Sequence, residues 1–276
     1  MSPDALHILG YASSFLIGIS LGLIGGGGSI LTVPVLVYLL GVEPVMATAY
    51  SLFIVGLSSL VGAYPKYREG LVDLRTAVVF GIPSIAAVFA TRKFIVPAIP
   101  PELGRLGGLT VTRGMLMMLL FAVLMIAASV SMIRNRRPFR PDAPSGKRVF
   151  NHPLILLEGG VVGLLTGLVG AGGGFLIIPA LVLLSGLPMK QAVGTSLLII
   201  AGKSLFGFLG DATEYTMDWQ LLSIVTAIAM AGILAGNRLS RRVDGDRLKK
   251  GFGWFVLVMG LYILIREGLM GGSGSH

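Results

Sequence analysis

The sequence predicts an all-α polytopic membrane protein made of two homologous repeats, inverted with respect to each other. Each repeat holds about four full spans and one glycine-interrupted half-helix. Three observations carry this. The mean hydropathy is +0.86, with 54% hydrophobic and only 13% charged residues, far too apolar for one soluble core. The stretch GLIGGGGSILTVPVLVYLLG at 22–41 recurs as GLVGAGGGFLIIPALVLLSG at 167–186. Basic residues gather in two short segments between apolar runs, the pattern of cytoplasmic loops.

Runs approaching the ~20 residues that cross a bilayer lie at 5–24, 45–64, 75–96, 113–133, 152–170, 189–209, 218–236 and 249–267. The first is read as a true span, because residues 1–6 carry Asp4 and no Lys or Arg, unlike a cleaved leader. Two shorter pieces, 30–40 and 175–185, follow the glycine runs. A helix of that length rises about 16 Å, roughly half the hydrocarbon core, so these are predicted half-helices. A shift of 145 positions aligns 18–63 with 163–208 without a gap, 19 of the 46 positions being identical. Residues 1–133 therefore form the first membrane repeat, 134–151 a basic linker and 152–270 the second repeat. Gly-Gly-Ser-Gly-Ser-His at 271–276 reads as an appended tail.

Orientation follows from charge. The segment 134–148 holds Arg134, Arg136, Arg137, Arg140, Lys147 and Arg148 against Asp142, and 237–250 holds six basic residues against Asp244 and Asp246. Both are expected in the cytoplasm. The loop 211–218 has Asp211, Glu214 and Asp218 with no basic residue, and is expected outside. The second half then makes five passes, counting the short one, so the halves face opposite ways and both termini lie outside the cytoplasm. A parallel arrangement would reverse the two loop placements. Arg92, Lys93 and Arg105 in 92–105 count against inversion, since they would face out. The net charge of +9 does not indicate nucleic acid, because it sits in short interspan loops where anionic lipid headgroups are the natural partner.

Enzymatic function is not expected. There are no cysteines, and His7, His152 and His276 all lie away from span centres. No metal-ligand spacing or nucleophile–base pair is evident, so no cofactor is expected. A nucleotide loop needs Gly-Lys-Ser/Thr, whereas Gly28 is followed by Ser29-Ile30 and Gly174 by Phe175-Leu176. Energy would then come from a proton, sodium or substrate gradient.

The candidate site is the pair of glycine breaks: Gly25, Gly26, Gly27, Gly28 and Ser29 in one half, Gly170, Ala171, Gly172, Gly173 and Gly174 in the other. Each glycine costs about 1 kcal/mol inside a helix. Non-helical backbone at membrane depth survives only where protein buries it or a cavity hydrates it. Interrupted segments at matching places in two halves point to a transport site. Each break feeds a half-helix whose first N–H groups are free and whose dipole is positive there, with Pro34 and Pro179 expected near the first turn. Two such ends converging would cradle a small oxyanion. Close packing by small residues is the alternative, and is assigned to Gly56, Gly81 and Gly260.

Ser51, Thr195 and Ser196 follow at matching positions, and can donate to an anion or bond back to their own helix. Lys203 lies about 14 residues into 189–209, where a lysine costs about 2.5–3.5 kcal/mol without a cavity or partner. It is expected to face the anionic substrate. The alternative is a pair with Asp211, eight residues on, about 12 Å along the helix. Glu158 is the acidic candidate for a coupling ion, its alternative being an interfacial pair with an arginine of the preceding loop.

The two Gly-Gly-Gly loops, the Pro-bearing short helices, and Ala47-Thr48-Ala49-Tyr50-Ser51-Leu52 against Gly194-Thr195-Ser196-Leu197 resemble the TauE/SafE-type sulfite and sulfonate permeases. The resemblance covers 5–267, the second copy matching better. The first copy departs at Gly28-Ser29 and Tyr50, where the second has Gly173-Gly174 and Thr195. The family implies secondary transport of small sulfur-containing anions across the bacterial inner membrane. A gated anion channel on the same scaffold is the alternative.

Overall fold

The computed structural model describes residues 3–106, 109–134, 152–170, 172–183, 186–212, 214–240 and 245–270. Helices fill all eight stretches expected to span: α1 (Pro3–Ile24), α3 (Pro44–Arg68), α4 (Leu74–Ala90), α6 (Arg113–Arg134), α7 (His152–Val169), α9 (Met189–Ala212), α10 (Trp219–Leu239) and α11 (Gly245–Met270). The half-helices are α2 (Thr32–Tyr38) and α8 (Gly174–Leu183). Among the described residues, five helices are long and apolar enough to cross a membrane by length and composition: Pro44–Arg68, Leu74–Ala98, Arg113–Val130, Met189–Ala212 and Trp219–Leu239. The chain is an all-α polytopic membrane protein.

Four details depart from the expectation. First, α4 continues through a π-helical turn at Thr91–Ile95 into α5 (Val96–Ala98). Second, β1 (Glu102–Leu106) and β2 (Leu109–Thr112) pair antiparallel. The sequence signal was present: β-branched Thr110, Val111 and Thr112 follow Gly107-Gly108, a hairpin dipeptide. Third, α9 runs to Ala212 and so takes in Asp211, which the sequence reading left in an outer loop. Fourth, Pro179 lies past the first turn of α8, which begins at Gly174, whereas Pro34 falls in the first turn of α2 as expected.

The central pair is α3 and α9, which run antiparallel. Side-chain carbons built on Gly207, Gly56 and Gly62 would meet Leu52, Leu205 and Leu197 respectively, so rising numbers on α3 face falling numbers on α9. Around this pair, α1 lies parallel to α10, with Gly18 against Ala229–Ile233 and Gly22 against Ile233–Asn237. In the same sense α7 lies parallel to α4, with Gly159, Gly163 and Gly167 backing onto Phe80, Ser84 and Thr91. Small residues let the backbones approach closely. Helix α6 packs with α11, and large apolar side chains such as Leu157, Ile82 and Val258 remain exposed on the outer faces, where lipid belongs.

The bundle has two distinct ends. At one, Lys66 near the end of α3 donates to Ser240 after α10 (3.3 Å), and Leu71 abuts Gly194 near the start of α9. At the other, Thr48 of α3 meets Arg92 of the π turn, and Arg113 at the start of α6 donates to Val96 O (3.2 Å). The strand pair sits between α5 and α6 at this second, hairpin end. Arg134 and Arg238, the first basic residues of the two basic segments, lie at the first, linker end.

Candidate functional site

The two glycine breaks touch. A Cβ on Gly26 would overlap the backbone of Gly174, and one on Gly174 would overlap Gly26, so this contact exists only between two residues that lack side chains. Gly25 and Gly170, 145 positions apart, share a left-handed backbone with φ of 74° and 72°; only glycine takes it cheaply. The first break then closes into a 3-10 turn, Gly26–Leu31, rather than staying irregular. Gly27 lies in that turn, and a Cβ on Gly28 would overlap Ser20. In the second break Gly172 faces Val55, Ser29 and Ile200, with a built Cβ at 2.6, 3.4 and 3.5 Å from them. Ala171 lies outside the described residues.

Lys203 reaches the second break. Its side chain is fully buried, and Nζ stands 2.6 Å from where a Gly173 Cβ would be. It donates to Thr166 Oγ1 at 3.1 Å. Asp211 is not its partner: that carboxylate pairs with Arg92 at 3.1 Å, both side chains fully buried. Eight residues restore the helical face only approximately, and the π turn brings a guanidinium closer. Among the described residues no carboxylate pairs with Lys203, and Thr166 is its one acceptor. An ammonium has three donors, so most of its hydrogen-bonding capacity is unspent.

The hydroxyls divide. Ser29 donates to Gly26 O (2.7 Å) and Ser196 to Val193 O (2.8 Å), the bland back-bonding pattern, although Ser196 Oγ also lies 3.2 Å from a built Gly25 Cβ. Thr195 is spent elsewhere, accepting the Asp73 N–H at 2.9 Å. Ser51 Oγ is buried without a partner among the described residues, as are Ser58, Ser59 and Ser204. Ser58 matches Lys203 in the repeat alignment, and Ser59 matches Ser204. Glu158 is half-buried on α7 and forms no ion pair among the described residues; apart from Arg134, the arginines of its preceding loop lie outside them.

Two residues were missed by sequence reasoning. Thr166 gave no signal, since a lone threonine in an apolar run reads as back-bonded, and it does also donate to Val162 O at 2.7 Å. Arg92 was treated as a loop charge, yet it is buried inside the continuation of α4. Asp211, taken into α9, joins Glu158 as an acidic residue within the helices. The space bordered by Ser14, Thr32, Ile54 and Val225 is too narrow for a water molecule.

The whole bundle, from α1 to α11, carries known relatives. The family model Sulfite exporter TauE/SafE matches residues 11–263. A "Probable membrane transporter protein" of Xylella fastidiosa (strain 9a5c) is 31% identical, covering 94% of this chain and 95% of its own. "Probable membrane transporter protein YdhB" of Bacillus subtilis (strain 168) is 27% identical over 91% and 97% of the two chains. "Probable membrane transporter protein MJ0441" of Methanocaldococcus jannaschii is 26% identical over 91% and 92%. No solved structure matches the chain. With eight helices at the expected spans, two touching glycine breaks and a family match over nearly its full length, the chain belongs to the TauE/SafE sulfite exporter family of membrane transporters.

Proposed function

We propose that this chain is a secondary transporter of small sulfur-containing anions, such as sulfite, sulfonates or related organosulfur acids, across the bacterial inner membrane. The substrate binds between the two glycine breaks beside Lys203, with Ser51 and the free N–H groups that open α8 as further donors. The carrying observation is the fully buried Lys203 ammonium at Gly173, with one hydroxyl acceptor and no carboxylate among the described residues. An intramembrane cation of that kind marks a substrate path, and an anion would complete its hydrogen bonding.

The repeats are inverted in this reading. Helices α3 and α9 are sequence counterparts at a shift of 145 and run antiparallel, and the contact of α1 with α10 is repeated by α7 with α4. Both basic segments begin at the linker end, which is then cytoplasmic. Arg92 and Lys93 no longer argue against this, since they are neutralised by Asp211 and Glu214. A proton or sodium gradient supplies the energy.

Thermal-shift titration of purified protein against sulfite, sulfate, thiosulfate, taurine and sulfoacetate tests the site, because a ligand of the native state raises its apparent stability. Lys203→Ala should abolish the shift, and Lys203→Arg, which keeps charge but changes shape, should retain part of it. An unchanged shift in well-folded Lys203→Ala protein removes Lys203 from the site. Uptake against a gradient, stopped by a protonophore, separates the transporter from a gated channel.

A further inference from the structure

Arg92 is a second fully buried cation, and its hydrogen bonding is lopsided. The side chain is fully buried, held by the π turn Thr91–Ile95, a local irregularity that recurs at functional sites. One terminal nitrogen, Nη1, makes both of its contacts: it donates to Thr48 Oγ1 at 2.9 Å and faces Asp211 Oδ2 at 3.1 Å. Among the described residues neither oxygen of Asp211 accepts a hydrogen bond, and Nε and Nη2 have no acceptor. These two form the side-on edge of the guanidinium, whose parallel N–H groups match two oxygens of a carboxylate, sulfonate or phosphate. Buried donors left without an acceptor are rare and costly. The edge therefore keeps two parallel donors to spare.

Its position connects it to the glycine breaks. Thr48, which accepts from Arg92, is the residue that a Cβ on Gly170 would overlap. Gly170 opens the second break, and Gly173 in that break touches Lys203. A line of close packing thus runs from Arg92, through its hydrogen bond to Thr48 and the second break, to Lys203. Outside Arg92 stands a second ion pair, Lys93 with Glu214 at 2.7 Å, both partly exposed.

We infer that the Nε/Nη2 edge of Arg92 is a second oxyanion site, which receives a sulfonate- or sulfite-type anion between the hairpin end and the Lys203 site. Asp211 is its counter-ion: it holds the guanidinium in place when the site is empty and competes with the arriving anion. This rests on the transport reading above and adds a station to it.

Binding of sulfite and sulfoacetate to the full chain in lipid nanodiscs tests this, using wild type, Arg92→Lys, Asp211→Asn and Lys203→Ala. Lysine keeps the charge but offers no parallel edge, so Arg92→Lys should weaken binding on the order of tenfold. Removing the competing carboxylate in Asp211→Asn should tighten binding severalfold, a gain that a merely structural ion pair would not produce. Unchanged affinity in both variants overturns the Arg92 site while leaving the Lys203 site standing, since Lys203→Ala then still loses binding. If Arg92→Lys fails to fold, Asp211→Asn decides alone: tighter binding supports the site and equal or weaker binding overturns it. Wild-type protein that binds neither anion sinks this site together with the sulfur-anion reading.

Discussion

The Tyr50 hydroxyl accepts the backbone N–H of Asp218 at 2.7 Å, and the Thr195 hydroxyl accepts that of Asp73 at 2.9 Å. Positions 50 and 195, and positions 73 and 218, are each 145 apart. A phenol and a small alcohol therefore do one job at two matching places. Each aspartate caps a helix in turn, Asp73 accepting from Thr76 N–H at 2.9 Å and Asp218 from Leu221 N–H at 3.0 Å. The departure of Tyr50 from Thr195 between the copies preserves a contact rather than breaking one.

Tyr50→Phe and Thr195→Val should each destabilise the protein by about 1 kcal/mol, the usual net worth of one hydrogen bond. Thermal unfolding in detergent reads this as a small downward shift in Tm. No shift in either variant means that water takes over the freed N–H.

Glycine substitutions should separate the breaks from ordinary packing. Gly26→Ala drives a methyl into the Gly174 backbone, and Gly173→Ala, at φ of 62°, drives one into Thr166. Backbone at Gly174 cannot yield as a flexible side chain could, so transport should be lost in both while protein remains in the membrane. Gly81→Ala is the control: contrary to the close packing expected of Gly81, nothing lies within 4 Å of its built Cβ, and a mid-helix alanine should stabilise by up to about 1 kcal/mol. Wild-type uptake in Gly26→Ala would reduce the breaks to packing devices.

Thr166→Val removes the one acceptor that Lys203 has among the described residues, at nearly constant volume. The bare ammonium should cost about 1–3 kcal/mol of stability. A bound anion supplies a new acceptor, so the thermal shift produced by sulfite should be larger in Thr166→Val than in wild type. A smaller shift would place the anion away from Lys203.

The absence of cysteine in the sequence suits a single-cysteine accessibility test of orientation. Leu103→Cys on β1 and Tyr67→Cys near the end of α3 are both at exposed positions, 44% and 56%, at opposite ends of the bundle. An impermeant maleimide added to intact cells should label Leu103→Cys alone, and Tyr67→Cys only after the membrane is opened. Reporters after Arg137 and near Arg242 should read cytoplasmic, and one near Thr213 periplasmic. Labelling of Tyr67→Cys in intact cells would reverse the proposed orientation.

What the sequence determined by itself is what depends on a few neighbouring residues. Hydropathy over ~20 positions places the spans, and the eight helices lie where it put them. Glycine runs announce breaks because helix cost and left-handed backbone are local properties, and Gly25 and Gly170 adopt the same φ. Even the depth of Lys203 was legible, because its neighbours are apolar. Only the tertiary structure decided which groups meet. Asp211 lies eight residues from Lys203 and 119 from Arg92, yet it pairs with Arg92, because antiparallel packing of α3 and α9 and a π turn after α4 set the distances. Thr166 and Lys203 meet across two helices for the same reason. Pairing strength falls with spatial separation and is indifferent to separation along the chain, so partners had to wait for the packed bundle.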